Sequence, residues 1–294
     1  MHFTNVYSQD LDPRAYSKIP INATTVITGL ALSSGEVVTE PTLQIKNIKA
    51  NVQTTSIGVA HSFAFFGMTS QVLVAVPYSW AKVTGDVEDV SEKVTRSGFS
   101  DLRLRFSVLF HGAPAVTAKE LSKSKRNTVL GASINVIAPT GEFFSEKLIN
   151  LGTNRWSFRP ELAISQPLGK RLLIDFYTGV WVFTNNDNFF PGESLRTQNP
   201  LGTIQAHISY NINPFFWLAL DTTYFVGGNS YVNGQSNDNR QSNSRIGLTA
   251  SIPTGKGSSL RLAASTGAVV RVGQNFDTFS IGWQKSWLHK KNKK

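Results

Sequence analysis

Along stretches of about ten residues, from Ile21 almost to Leu288, apolar residues alternate with polar or small ones. The run Asp101-Leu102-Arg103-Leu104-Arg105-Phe106-Ser107-Val108 is the clearest case. Asp, Arg, Arg and Ser occupy one parity, while Leu, Leu, Phe and Val occupy the other. In a strand, successive side chains point to opposite faces, so period-two alternation predicts a sheet with two chemically different sides. A soluble sandwich alternates too, but its polar side meets water and its turns stay short. Here the segments are long, and Trp, Tyr or Phe gathers near their ends. That combination predicts an all-β fold, a transmembrane antiparallel up-and-down β-barrel with apolar side chains toward lipid and polar ones toward the lumen.

Alternation places strands at 21–32, 49–64, 67–80, 98–110, 127–138, 155–167, 170–184, 201–211, 214–227, 242–253, 258–272 and 275–288. The total is about twelve, an even number as in bacterial barrels. Connections then alternate in length. Short ones fall at Phe66-Gly67, Leu168-Gly169, Ile212-Asn213 and Thr254-Gly255-Lys256-Gly257, and long ones at 33–48, 81–97, 139–154, 185–200 and 228–241. Short turns belong on the periplasmic side and long loops outside. Two connections break the rule: 111–126 is long, with Ala118-Lys119-Glu120-Leu121 suited to a brief helix, and Gly273-Gln274 is short. Tyr78, Trp80, Trp156, Phe158, Trp181 and Tyr224 fall at outer strand ends, and Phe110, Tyr210, Phe216, Trp217 and Trp287 at periplasmic ends. These are the two aromatic girdles expected of a barrel. The organisation expected is a periplasmic N-terminal segment at 1–19, a barrel over 20–288 and a basic tail at 289–294.

The mean hydropathy of −0.13 is nearly neutral, and no run reaches the roughly 18 apolar residues of a spanning helix. A barrel hides from such averages because lumen residues dilute the signal. The chain has no cysteine, which removes disulfides and thiolate chemistry. The net charge of +10 sits largely in the tail His289-Lys290-Lys291-Asn292-Lys293-Lys294 and in connections bearing Lys119, Lys123, Lys125 and Arg126. That distribution points to anionic lipid headgroups rather than nucleic acid. An exported barrel needs a cleaved signal, and Met1 is followed by a polar stretch to Lys18, so the start reads as that of a trimmed chain.

Charge facing lipid is costly, so charged residues inside strands mark the inner face. Asp101, Arg103, Arg105, Arg159, Glu161, Asp175, His207, Asp221, Arg245, Arg261 and Arg271 are therefore the expected pore lining, joined by Ser133, Asn135, Gln205, Ser209, Thr249 and Ser265. Six arginines against four carboxylates make that lining mildly cationic. It reads either as a cross-lumen ion-pair network or as an electropositive path for an anion such as a carboxylate, and the two are compatible. Arg103, Arg105, Arg159 and Arg261 are expected to pair with Asp101, Glu161, Asp175 and Asp221. Catalytic patterns are absent: His2, His61, His111, His207 and His289 form no ligand or His-Glu spacing, and Gly255-Lys256-Gly257-Ser258 lacks the rest of a phosphate loop. The Asn-rich runs at 185–188 and 237–239 are expected to be solvated loops rather than calcium sites. No cofactor or metal is expected.

Leu148-Ile149-Asn150-Leu151-Gly152-Thr153-Asn154-Arg155-Trp156 and Gly179-Val180-Trp181-Val182-Phe183-Thr184-Asn185-Asn186 carry a resemblance, as do Gln198-Asn199-Pro200-Leu201, Gln241-Ser242-Asn243-Ser244-Arg245 and Phe276-Asp277-Thr278. On these the chain resembles the family of outer-membrane β-barrels associated with the meta-pathway of phenol degradation. The resemblance covers most of the chain and implies transport of aromatic or other hydrophobic compounds, without supplying any catalytic or binding residue. The expected function is an outer-membrane channel or transporter for small aromatic, hydrophobic or weakly anionic compounds. The alternatives are a lipid hydrolase built on a barrel and a structural barrel with a plugged lumen. The expected partners are outer-membrane lipid and lipopolysaccharide, a small solute and the barrel-assembly machinery. That machinery reads a terminal aromatic, which Trp287 would supply although the chain continues to Lys294.

Overall fold

The computed structural model describes residues 11–38, 45–87 and 90–289. The expected tail falls outside them apart from His289, as do residues 1–10. The wall begins with β1 (Ala23–Val38), β2 (Ile45–Phe65) and β3 (Met68–Val87). Next come β4 (Val90–Phe99) and β5 (Leu102–Pro114), one wall strand interrupted at Ser100-Asp101: β4 pairs with the far half of β3 and β5 with its near half. The helix α1 (Ala118–Leu121) precedes β6 (Val129–Ala138), β7 (Ser157–Leu168) and β8 (Leu172–Phe183). The short strands β9 (Asn186–Phe189) and β10 (Ser194–Gln198) lead to β11 (Leu201–Asn211) and β12 (Trp217–Gly227). After β13 (Ser230–Val232) and β14 (Gln235–Ser236), the wall finishes with β15 (Gln241–Gly255), β16 (Ser258–Val269) and β17 (Gly273–Leu288). Every wall strand pairs antiparallel with its sequence neighbours, and β17 pairs back onto β1 from Ala23↔Leu288 to Val38↔Gly273. The result is a closed barrel of twelve antiparallel strands, paired all the way round at the level of β5, while the β4 extension pairs with β3 alone.

The alternation sorts as the period requires. In β12 the odd positions Ala219, Asp221, Thr223 and Phe225 are buried inside, while Leu218, Leu220 and Tyr224 are exposed outside. Outward apolar side chains recur around the wall, among them Leu30, Val74, Ile134, Leu162, Phe176, Ile208, Leu248 and Ile281. Such a surface is unstable in water and suited to lipid. Phe66-Gly67 closes the β2–β3 hairpin with φ of +49° and +75°, the left-handed pair that two-residue turns need and that Gly67 makes easy. The expected brief helix forms as α1, with Thr117 and Glu120 in a capping box.

Three elements differ from the sequence reading. The segments 33–38, 45–48, 81–87 and 90–97, expected as loop, continue the wall. There the inward Ile48, Ala81 and Val83 join Ala50, Val52, Leu151 and Phe276 in one apolar cluster, while outward polar residues such as Lys46 and Lys82 give the segments the composition of a loop. The long connections at 185–200 and 228–240 fold into a separate four-stranded sheet, ordered β14-β13-β10-β9. Trp181 and Trp217, expected in the girdles, turn inward: Trp181 lies 5.0 Å from the Arg159 guanidinium and Trp217 lies 4.5 Å from that of Arg14.

The sorting has a measurable consequence. Leu220 faces Leu248 across β12–β15 on the outer surface near mid-wall. Leu220→Arg is expected to destabilise the barrel in lipid by about 2–4 kcal/mol, whereas Thr95→Arg, in the exposed extension of β4, should cost under about 1 kcal/mol. Urea unfolding from liposomes, followed by heat-modifiable gel mobility, measures both. Equal costs at the two positions would sink the assignment of faces.

Candidate functional site

The lumen is not an empty tube. Residues 12–18, expected to stand on the periplasmic side, lie inside the barrel toward its short-turn end. Tyr16 is fully buried and anchors the segment. Its hydroxyl donates to Glu161 Oε1 at 2.9 Å and lies 2.7 Å from Ser133 Oγ. The ring meets Tyr177 edge-on at 5.0 Å, and the Arg105 guanidinium sits 4.7 Å from its centre. Leu109, Ala113, Val129 and Ala163 complete the apolar pocket around it. The wall leaves room for this: a Cβ on Gly131 would fall 2.5 Å from Tyr16 Cδ1, and one on Gly247 would fall 2.5 Å from Leu11 Cδ1.

Charge holds the rest of the segment. Arg261 donates to Asp12 Oδ1 at 2.9 Å and to the Pro13 carbonyl at 3.0 Å. The Arg14 amide donates to Asp175 Oδ2 at 3.2 Å, and its guanidinium donates to Asn211 Oδ1 at 2.7 Å. Below the segment, Arg14, Lys18, Arg126, Lys170 and Arg171 line a cavity of about 540 Å³ that carries no acidic residue. The short-turn mouth is thus strongly cationic.

Higher in the lumen, Asp221 joins two neighbouring strands. Its carboxylate lies 2.7 Å from His207 Nδ1 and accepts from Thr249 Oγ1 at 2.6 Å. Arg159 Nε stands 3.5 Å from Glu161 Oε2, two residues along the same strand. Arg245 donates to the Phe276 carbonyl at 2.8 Å and to Ser265 Oγ at 3.0 Å. Arg103 and Arg105 occupy inward positions of β5, in register with Ala75 and Leu73 of β3.

Two expected lining residues stand elsewhere. Arg271 is exposed beyond the end of β16, where the chain leaves the sheet and the Arg271 amide donates to Asn243 Oδ1 at 2.9 Å. Asp101 is buried at the break between β4 and β5 and clamps the β6–β7 connection, accepting from the amides of Gly141 and Thr153 at 2.9 Å each. The expected pairing also changes. Arg159 does pair with Glu161, but Arg261 pairs with Asp12 and Asp175 accepts from the Arg14 amide, because residues 12–18 supply partners that the wall alone does not. Sequence reasoning missed Asp12, Arg14 and Tyr16, which sit in a short polar stretch without periodicity. The available signal was Gly131 and Gly247 at inward positions where a side chain is usual.

Among the described residues, no group of three or more His, Asp or Glu is placed to hold a metal ion. His207 and Asp221 are oriented like an acid–base pair, but His207 Nε2 is buried without a hydrogen-bond partner. No hydroxyl is therefore bonded to it as a nucleophile would be.

The fold has solved counterparts. An outer-membrane channel from Pseudomonas putida F1 superposes with a TM-score of 0.82 at 20% identity, covering 95% of this chain and 100% of that one. The transport unit of the autotransporter AIDA-I from Escherichia coli gives a TM-score of 0.56 at 10% identity, over 96% of this chain and 94% of that one. The KdgM porin gives 0.50 at 10% identity, over 90% and 99%. At these identities the likeness concerns the fold, which is that of bacterial outer-membrane barrels. No curated protein sequence matches the chain. The family described as the MetA-pathway of phenol degradation matches residues 33–285, most of the wall and its loops, and the chain belongs to that family.

Proposed function

We propose that the protein is a channel or transporter of the bacterial outer membrane that passes small aromatic, hydrophobic or weakly anionic compounds toward the periplasm. The observation that carries this reading is the sorting of side chains about one closed wall, apolar outside and charged or hydrogen-bonding inside. The family description, which speaks of phenol degradation, and the channel and porin among the structural neighbours support it. Lipid and lipopolysaccharide would surround the apolar belt, and the assembly machinery would read the last strand with its outward Trp287. The polar lining would include Arg103, Arg105, Arg159, Glu161, Asp175, His207, Asp221, Arg245 and Arg261.

A second reading, a structural barrel with a plugged lumen, is favoured by residues 12–18 and their buried anchor Tyr16. Against permanent closure stands the nature of the attachment. Among the described residues it consists of hydrogen bonds, one half-exposed ion pair, the Arg14–Trp217 contact and the Tyr16 anchor in its apolar pocket, all reversible contacts.

Planar bilayers separate the two. Discrete single-channel conductance supports passage, and a silent barrel supports the plug. Tyr16→Ala and Gly131→Leu, which remove the anchor and fill its pocket, are both expected to raise conductance; unchanged values would dissociate the segment from any gating.

Asp12→Asn and Arg261→Gln should raise conductance by similar amounts, and the double variant should add little, because both break one contact. Full additivity would show that the contact does not hold the segment. Arg103→Glu, at an inward position, should move the reversal potential in a KCl gradient toward cation preference. A reversal potential that stays put would remove Arg103 from the conducting path.

A further inference from the structure

The long-loop mouth of the lumen contains two buried arginines that the other described residues leave short of acceptors. Arg155 lies just before β7, on the inner side of the outward-facing Trp156, and Arg196 lies in β10 of the loop sheet. They are 3% and 7% exposed. Arg155 Nη2 donates to Gln198 Oε1. Its Nε and Nη1 atoms, and Nη1 of Arg196, are buried without any hydrogen-bond partner.

Among the described residues, no carboxylate is hydrogen-bonded to either arginine or forms an ion pair with it. The acidic group whose charge reaches Arg155 is Asp101, and both its oxygens are taken by the amides of Gly141 and Thr153. Gln198, which accepts from Arg155, lies two residues along β10 from Arg196 and so brings the two arginines to one place. Burial and the charge of Arg196 push Arg155 well below the ordinary arginine value, and burial pushes Arg196 down to about 10. A buried cation without a counter-charge is expensive, and two side by side are more so. An anion between them would relieve both desolvation and repulsion.

The surroundings narrow the kind of anion. The Arg155 guanidinium carbon lies 4.4 Å over the Phe183 ring, that of Arg196 lies 5.4 Å over Phe189, and Arg159 stands 5.0 Å over Trp181. A guanidinium with its face toward a ring keeps its in-plane N–H bonds for an oxygen acceptor. The planar fork of an arginine matches the two oxygens of a carboxylate. The rings give the remainder of such a ligand an apolar wall. Both arginines are inside the loops rather than on the lipid face, so a solute reaches them more readily than a lipid headgroup does.

We propose that Arg155 and Arg196 form an anion-recognition site at the long-loop mouth, and that its ligand is a monocarboxylate with an aromatic or apolar body. The proposal rests on the channel reading only for where the ligand goes next; binding itself stands on the two arginines. It is tested by calorimetric titration of the full chain in detergent with benzoate and, at the same neutral pH, with the uncharged analogue benzyl alcohol. Saturable benzoate binding is expected, with benzyl alcohol weaker by about tenfold or more. Arg155→Gln and Arg196→Gln should each weaken benzoate by about tenfold.

Equal binding of the two probes, or benzoate affinity unchanged in both variants, would overturn the site. Inorganic phosphate binding more tightly than benzoate would overturn the carboxylate assignment. Should a variant fold poorly by circular dichroism, the comparison of benzoate with benzyl alcohol on the unaltered protein decides alone. Conductance of the same preparation keeps the two proposals apart. Benzoate binding by a silent barrel retains the site and rejects the channel, whereas conductance without benzoate binding does the reverse.

Discussion

A sheet in a bilayer has nowhere to leave an unpaired edge, because hydrocarbon offers no partner to a free amide or carbonyl. In this chain the constraint falls on one junction, the antiparallel pairing of β1 with β17 over the whole length of both strands, from Ala23↔Leu288 to Val38↔Gly273. The other wall contacts join strands close in sequence and could form in an open sheet. Only this one joins the two ends of the chain. It converts a curved sheet into a wall, and the same step creates an interior cut off from lipid where charged side chains can be kept.

That interior then sets its own requirement. Buried polar groups need partners, and a barrel built from alternating residues brings many of them to one axis at once. Part of the demand is met within the wall, by His207 with Asp221 and Thr249 or by Arg245 with Phe276 and Ser265. Part is met by residues 12–18, which supply a carboxylate to Arg261 and hydroxyl and amide donors to Glu161 and Asp175. Single unpaired atoms remain along the lumen, and at the long-loop mouth two buried arginines, Arg155 and Arg196, keep unpaired N–H groups with no ion pair among the described residues. The two ends of the lumen are both cationic but differ in filling: residues 12–18 occupy one, and the other keeps two buried guanidiniums with unpaired N–H groups.

The wall was largely legible in the sequence because its two solvents are so different. Lipid and lumen impose opposite chemistry on adjacent residues, so alternation alone placed β5, β11 and β12 within a few residues of their ends. Strand ends beyond the lipid lost that contrast. Lys46 and Lys82 face water there, and their segments read as loop although the inner parity continues through Ile48, Ala81 and Val83. The lining was legible as parity but not as pairing. Whether Asp175 meets an arginine side chain or the Arg14 amide depends on where a separate, aperiodic segment comes to lie. Nothing in the spacing of Asp12, Arg14 and Tyr16 announces a destination inside the barrel.

The order of dependence between wall and segment also bears on what the segment can do. Tyr16 bonds to residues 117 and 145 positions away, and Asp12 to one 249 positions away. Those partners come from β6, β7 and β16, so the full docking site exists only once strands from across the chain share one closed wall. Contacts at such separation carry a large loop-closure cost, which strand pairing must already have met before they contribute. The wall's hydrogen-bond ladders, by contrast, include nothing from residues 12–18. Occlusion therefore depends on closure, while closure does not depend on occlusion. The wall pairings would stay intact if the segment left the lumen, and this is a physical condition that a reversible stopper must satisfy.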